Sequence, residues 1–203
     1  MVVSGVEEFN KIFEKLVIET INIGDDLLLG ICNIEADPDL NFREREHKAV
    51  HGLLRSMLHD DTIIISHNED GKPTIPGYNI SITHTRGYAA VILSKVKPVG
   101  IDIEYISDRV ERITERFLRP DELSAFASVT SASGDYTELD VFLRAWCAKE
   151  AVYKYYSEDH LAYFDMRCKI GSEDCFEVEN MKRSQSVMVK FLSTDDYVLA
   201  WVQ

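Results

Sequence analysis

Two carboxylates stand two residues apart at Asp102 and Glu104, inside the run Val99-Gly100-Ile101-Asp102-Ile103-Glu104. Apolar Ile101 and Ile103 alternate with them. That is the period of a strand with one buried face, so the two acidic side chains project side by side. Carboxylates held so close repel one another and raise each other's pKa unless a cation sits between them. A hard divalent ion with oxygen ligands, Mg²⁺ above all, relieves that repulsion. Taken alone, the pair is better explained as the acidic outer face of a strand edge, because Asp-x-Glu is a common spacing. A second grouping, Trp146, Glu150 and Lys154, recurs every fourth residue and so shares one face of a helix. A tryptophan flanking a carboxylate and an ammonium builds a site with an apolar wall. A core tryptophan beside an ordinary helical Glu–Lys pair, worth about 0.3–0.5 kcal/mol, accounts for the same spacing.

The elements that must position these groups follow from periodicity. Phe9, Ile12, Phe13 and Leu16 predict a helix over 6–19, and 27–34 reads as a buried strand broken by Asp37-Pro38-Asp39. A helix over 42–58 carries the stripe Ala49, Val50, Leu53, Leu54 and Met57 behind a charged first half. Strands are expected over 62–66, 78–83 and 88–93, with a turn over 68–73 and another at Thr85-Arg86-Gly87. Residues 107–117 predict a helix on which Arg109, Arg112, Arg116 and Arg119 share a face. A solvated basic face paired to Glu111 and Glu115 explains those arginines most simply; a docking strip for an acidic partner is the functional alternative. Pro120 opens a further helix, 130–134 reads as a loop, and a strong helix spans about 137–156. The tail alternates like strands over 175–178, 186–192 and 197–202. Asn33-Ile34-Glu35 and Asp102-Ile103-Glu104 form a faint internal echo, each followed by an Arg-rich segment and a helix.

Composition bounds the class. The chain has 203 residues, 45% apolar and 28% charged, enough for one large domain or two small halves with a real core. Lys+Arg is 22 against Asp+Glu 35, a net charge of −13, which makes bulk nucleic-acid binding a poor fit. An acidic chain that handles phosphate must concentrate its cations locally. The four cysteines, Cys32, Cys147, Cys168 and Cys175, show no CxxC spacing, and charged residues interrupt any apolar run near the start. The expectation is a reduced, cytoplasmic protein with free thiols, no membrane span and no nucleic-acid partner.

The ordered set Gly71-Lys72-Pro73, Ser81-Ile82-Thr83-His84-Thr85, Gly100-Ile101-Asp102-Ile103-Glu104 and Trp146-x-x-Lys149-Glu150-Ala151-x-x-Lys154 resembles the 4′-phosphopantetheinyl transferase superfamily. The resemblance covers roughly 43–154 and points to the longer, monomeric branch rather than the short trimeric one. It implies an α+β fold of two similar α/β halves, 1–98 and 99–203, packed as an intramolecular pseudo-dimer with the active site between them. It implies transfer of 4′-phosphopantetheine from coenzyme A to a serine of an apo acyl or peptidyl carrier protein, releasing 3′,5′-ADP. Asp102, Glu104 and Glu150 match the residues that hold Mg²⁺ against the pyrophosphate. Glu150 also matches the proposed general base, and Lys154 the residue that stabilises the pyrophosphate. Lys149 matches a second basic position of that helix. Thr83 and His84 match the pair that contacts the coenzyme A phosphates, Gly71, Lys72 and Pro73 the turn bordering the nucleotide, and Arg45 and Lys48 basic positions within reach of phosphate. The departures are His51 where relatives carry a second arginine, Thr83 for serine, and Tyr155-Tyr156-Ser157-Glu158 where a glycine-containing segment borders the pantetheine arm. A module that binds coenzyme A or a carrier without turnover, or another Mg²⁺-dependent phosphotransfer enzyme, remains the alternative.

Overall fold

A computed structural model describes residues 18–23, 26–133, 137–172 and 175–202. The helix expected over 6–19 lies outside the described residues except for its last two positions, which open a strand. The chain divides into two compact units, Met1–Lys97 and Pro98–Gln203.

In the first unit the elements run β1 (Ile18–Asn22), β2 (Leu27–Asn33), α1 (Phe42–Leu58), β3 (Ser66–His67), β4 (Pro73–Thr74), β5 (Asn79–Thr85) and β6 (Tyr88–Ser94). An antiparallel sheet forms in the order β1-β2-β6-β5, with β3 and β4 a separate short ribbon. Helix α1 starts where Asn41 Oδ1 accepts the Glu44 N–H while the Glu44 carboxylate accepts the Asn41 N–H, a reciprocal cap. Its apolar stripe lies buried with Cys32, Ile80, Val91 and Leu93 of the sheet. The β5–β6 turn places Gly87 at φ 85°, a conformation that favours glycine. The strand expected over 62–66 is a correction. Ile63 and Ile65 do pack on the core while Ile64 is exposed, but only Ser66 and His67 find a ladder partner. A β-branched run is not by itself a strand; it needs a ladder partner.

The second unit runs β7 (Ile101–Tyr105), a 3₁₀ turn Glu111–Ile113, α2 (Thr114–Phe117), α3 (Pro120–Ser133), α4 (Glu138–Tyr155), 3₁₀ turns Ser157–Asp159 and Tyr163–Asp165, then β8 (Met166–Ser172), β9 (Cys175–Asn180), β10 (Gln185–Ser193) and β11 (Tyr197–Val202). Its antiparallel sheet has the order β7-β11-β10-β9-β8, which sets β7 at one edge beside the last strand of the chain. Helix α4, capped by a reciprocal Thr137–Asp140 pair, lies against β7 and β11. Gly100 permits that approach, since a Cβ there would collide with the Ala151 carbonyl oxygen. The core gathers Phe117, Leu118, Phe126, Ala148, Val152, Val178 and Val198.

Two further expectations are corrected here. Residues 107–117 form a turn, a 3₁₀ segment and the four-residue α2 rather than one helix, because Val110, Phe117 and Leu118 all bury and the chain must bend to do so. The arginine positions therefore share no continuous helical face: Arg112 pairs with Asp108, and Arg119 donates to Asp121 and to the Phe164 carbonyl. Of the loop expected over 130–134, residues 130–133 are the last turn of α3, and Gly134 lies outside the described residues. Hydroxyls of Ser128, Thr130 and Ser131 donate back to carbonyls of the preceding turn, so these polar side chains find partners without leaving the helix.

Candidate active site

Strand β7 and helix α4 together position the second unit's acidic cluster. Asp102 is almost wholly buried at 6% exposure, and its Oδ1 lies 2.7 Å from Lys154 Nζ, which also donates to the Ile101 carbonyl at 3.0 Å. Glu104, two positions along the strand, accepts the Trp146 indole N–H at 3.3 Å. Glu150, one helical turn beyond Trp146, accepts the Tyr163 hydroxyl at 2.5 Å. Burial raises the Glu150 pKa and the neighbouring Asp102 charge adds to the rise, while the Tyr163 hydrogen bond and Lys154 oppose it. Beneath the cluster Cys147 is fully buried and donates weakly to the Val198 carbonyl. Desolvation drives its thiol pKa far up, and the charges of Asp102, Glu104 and Glu150 push the same way. The Lys154–Asp102 bond joins α4 to β7 across fifty-two positions of sequence.

The donor set is chemically that of a hard divalent cation: three carboxylates and no soft ligand. As the side chains stand, each carboxylate is engaged by a donor of the protein, and among the described residues no three acidic, histidine or cysteine groups converge on one point. The ammonium of Lys154 on Asp102 shows that the cluster draws positive charge. Oxygen chemistry fits Mg²⁺, and Asp102, Glu104 and Glu150 are the residues that would hold it. A cavity of about 130 Å³ opens beside Glu104 and Trp146, with Arg109, Tyr105 and Ser107 among its lining.

Lys149 is a correction. Expected among the coenzyme A-binding groups, it is fully buried, with its ammonium 2.8 Å from Glu122 and donating to the carbonyls of Phe117, Met166 and Tyr163 at 2.7, 3.0 and 3.2 Å. Glu122 in turn accepts the backbone N–H groups of Arg119 and Cys168, both at 2.7 Å. Lys149 is therefore an anchor of the core and has no path to a ligand.

The first unit holds the remaining predicted residues. Arg45 and Lys48, on α1, line a cavity of about 60 Å³ with Asn33, Glu35 and Asp37. Lys48 bonds Asp37 at 3.0 Å and thereby holds the Asp37 carboxyl below its usual range; the Arg45 guanidinium lies 5.7 Å from the Phe42 ring centroid. His84, exposed on β5, pairs through Nδ1 with Glu46 at 2.7 Å. Thr83 is on the opposite face of that strand and is buried, so the two are not presented together as the motif suggests. Gly71, at φ 79°, and Lys72 close the turn in which Asn68 Oδ1 accepts the N–H groups of Asp70 and Lys72, and Pro73 begins β4. His51 stacks beside His47 with the two Nε2 atoms 3.2 Å apart. Three contacts have no sequence signal: Glu46 as the partner of His84, Tyr163 as the partner of Glu150, and the indole N–H, rather than the apolar face, of Trp146 on Glu104. Each joins residues at spacings unrelated to any helix or strand period.

Fold and site together define an α+β protein whose second unit holds strand and helix carboxylates beside a lysine, an arrangement suited to drawing a cation. Residues 98–202 match the family described as the 4′-phosphopantetheinyl transferase superfamily. The chain belongs to that superfamily. It is also similar to a Xenopus laevis protein named L-aminoadipate-semialdehyde dehydrogenase-phosphopantetheinyl transferase, with 26% identity over 120 residues, 50% of this chain and 40% of that protein. The chain thus spans less than half the length of that curated relative. The family match over 98–202 contains β7, α4 and every residue of the acidic cluster.

Proposed function

We propose that the protein transfers the 4′-phosphopantetheine group of coenzyme A to a serine of an apo carrier protein, releasing 3′,5′-ADP. The observation that carries the reading is that the matched family segment holds the Asp102–Lys154 pair between β7 and α4, with Glu104 on the same strand and Glu150 on the same helix. Asp102, Glu104 and Glu150 are the ligands in this reading, and Mg²⁺, when bound, neutralises charge as the phosphoanhydride breaks. Glu150 takes the proton of the carrier serine hydroxyl, directly or through water. Lys154 faces the pyrophosphate with its ammonium. Arg45, Lys48, Lys72 and His84, together with the Gly71-Lys72-Pro73 turn and the Thr83 strand, serve the nucleotide end. Arg109, Arg112, Arg116 and Arg119 offer an acidic carrier positive charge from a bent segment.

The finer reading is the longer, monomeric branch built of two similar halves, in a cytoplasmic setting. In support, each unit lays one long helix on an antiparallel sheet at a glycine: Gly30 lies against Leu53 and Met57, and Gly100 against Ala151. The test is to incubate the protein with apo acyl and peptidyl carrier proteins, coenzyme A and Mg²⁺, and weigh the carriers. A mass gain of one phosphopantetheine supports the proposal. No gain on any carrier, with coenzyme A binding intact by calorimetry, replaces it with a binding module.

A further inference from the structure

We infer that Tyr163 is the positioning residue of this site: its hydroxyl fixes the Glu150 carboxylate in the orientation that leaves one oxygen for the cation and the incoming serine. The inference rests on the reading of Glu150 as a metal ligand and base. Its evidence is separate, because Tyr163 lies outside every motif that identified the site.

The hydroxyl donates to Glu150 Oε1 at 2.5 Å, a short bond of the kind an ionised acceptor makes. One oxygen of Glu150 is thereby committed to Tyr163.

The donor itself is rigid. The Tyr163 ring lies 5.3 Å from the Trp146 ring and 6.4 Å, edge-on, from Phe117, while Phe117 meets Trp146 edge-on at 5.1 Å. The Tyr163 carbonyl accepts from Lys149 Nζ, the same ammonium that holds the Phe117 carbonyl. Downstream, Asp165 caps the Ala162 N–H and pairs with Lys182. The ring is thus packed against two aromatic neighbours and the backbone beneath it is hydrogen-bonded. The same aromatic group delivers the Trp146 N–H to Glu104, so two of the three carboxylates are oriented from one cluster. Outer donors of this kind commonly change metal affinity ten- to a hundredfold.

Tyr163→Phe keeps the ring and removes the bond. Mn²⁺ uptake, followed by loss of the free-ion paramagnetic resonance signal in the presence of coenzyme A, reads the site without turnover. The expected result is Mn²⁺ affinity weakened about tenfold in Tyr163→Phe, with metal-free coenzyme A binding and the melting temperature unchanged, and with kcat lowered more than KM. Unchanged Mn²⁺ affinity in Tyr163→Phe, alongside loss in Glu150→Gln, overturns the role of Tyr163 and leaves the site reading standing. Absence of Mn²⁺ uptake by the wild-type protein overturns the site reading, and this inference with it. A fall in melting temperature with unchanged metal affinity assigns Tyr163 to folding alone.

Discussion

Helix α4 carries two lysines five residues apart, each paired with one carboxylate, and they do opposite things. Lys149 and Glu122 are sealed, at 0% and 1% side-chain exposure, with every polar atom given a partner. Lys154 and Asp102 sit at 26% and 8%, at the edge where β7 meets the helix. Five residues turn a helix through about 500°, so the two side chains leave from different faces. One face meets α3 and the segment before β8; the other meets β7. A sealed ion pair is held by the full set of hydrogen bonds around it, whereas a half-open pair keeps an ammonium that a ligand can reach. The motif writes both residues in the same letters, and the helix azimuth separates a structural cation from a chemical one.

The largest test of that contrast is stability. Lys149→Ala strands Glu122 in the core and frees three carbonyls, so unfolding in urea should show a loss of about 3–5 kcal/mol. Lys154→Ala, where the ammonium is a quarter exposed but Asp102 is buried, should cost less, about 1–3 kcal/mol. Equal losses break the comparison. Activity should reverse the order: Asp102→Asn is expected to cut transfer by on the order of a hundredfold or more, because charge stabilisation at such a site is worth several kcal/mol, with a well-folded protein by circular dichroism. Near-normal turnover in that variant removes Asp102 from the chemistry. The double replacement Lys149→Met with Glu122→Leu should recover at least about 1 kcal/mol of the single-variant loss, since an apolar pair of similar volume needs no desolvated charge. Failure to recover means the carbonyl bonds, rather than the ion pair, hold that corner.

Smaller effects lie outside the helix. Arg112→Glu with Arg116→Glu should raise KM for an acidic carrier several-fold and leave kcat in place, because exposed charge acts mainly on encounter. An unchanged KM returns these arginines to the solvated surface. The smallest effect belongs to α1 in the other unit. Burial, with His47 and Arg55 nearby, lowers the His51 pKa below its usual 6.5. The unfolded chain then binds that proton more readily than the folded one. Stability rises with pH through this window, and acidification below about 6.5 favours unfolding. The melting temperature should fall from pH 7.5 to 5.5, and His51→Gln should remove part of that fall. A pH dependence identical in the variant excludes His51 as its source.

Much of this molecule is legible in the letters. Helix α1 and its stripe, helix α4 with its Thr137 cap, the β5–β6 hairpin and the alternating β7 follow from period, caps and turn residues, all local properties of the chain. The metal-type carboxylates and Lys154 were identifiable because the order and spacing of several motifs resemble one family, which spacing alone did not establish. What local pattern misread is instructive. The 107–117 segment has helical spacing of arginines, yet burial of Val110, Phe117 and Leu118 bends it. The 62–66 run is β-branched like a strand, yet of its residues only Ser66 pairs with another strand.

The sequence by itself determined which residues are chemically capable, because residue type and backbone period are written into the chain: Asp102 and Glu104 alternate with isoleucines, and Glu150 and Lys154 lie one turn apart. Only the tertiary structure decided which of them face a site. The direction of a side chain depends on which helix face packs against which strand, and that is settled by burial across positions far apart in sequence. That is why Lys149, inside the family motif, became a core anchor, and why Tyr163, outside it, came to hold the Glu150 carboxylate.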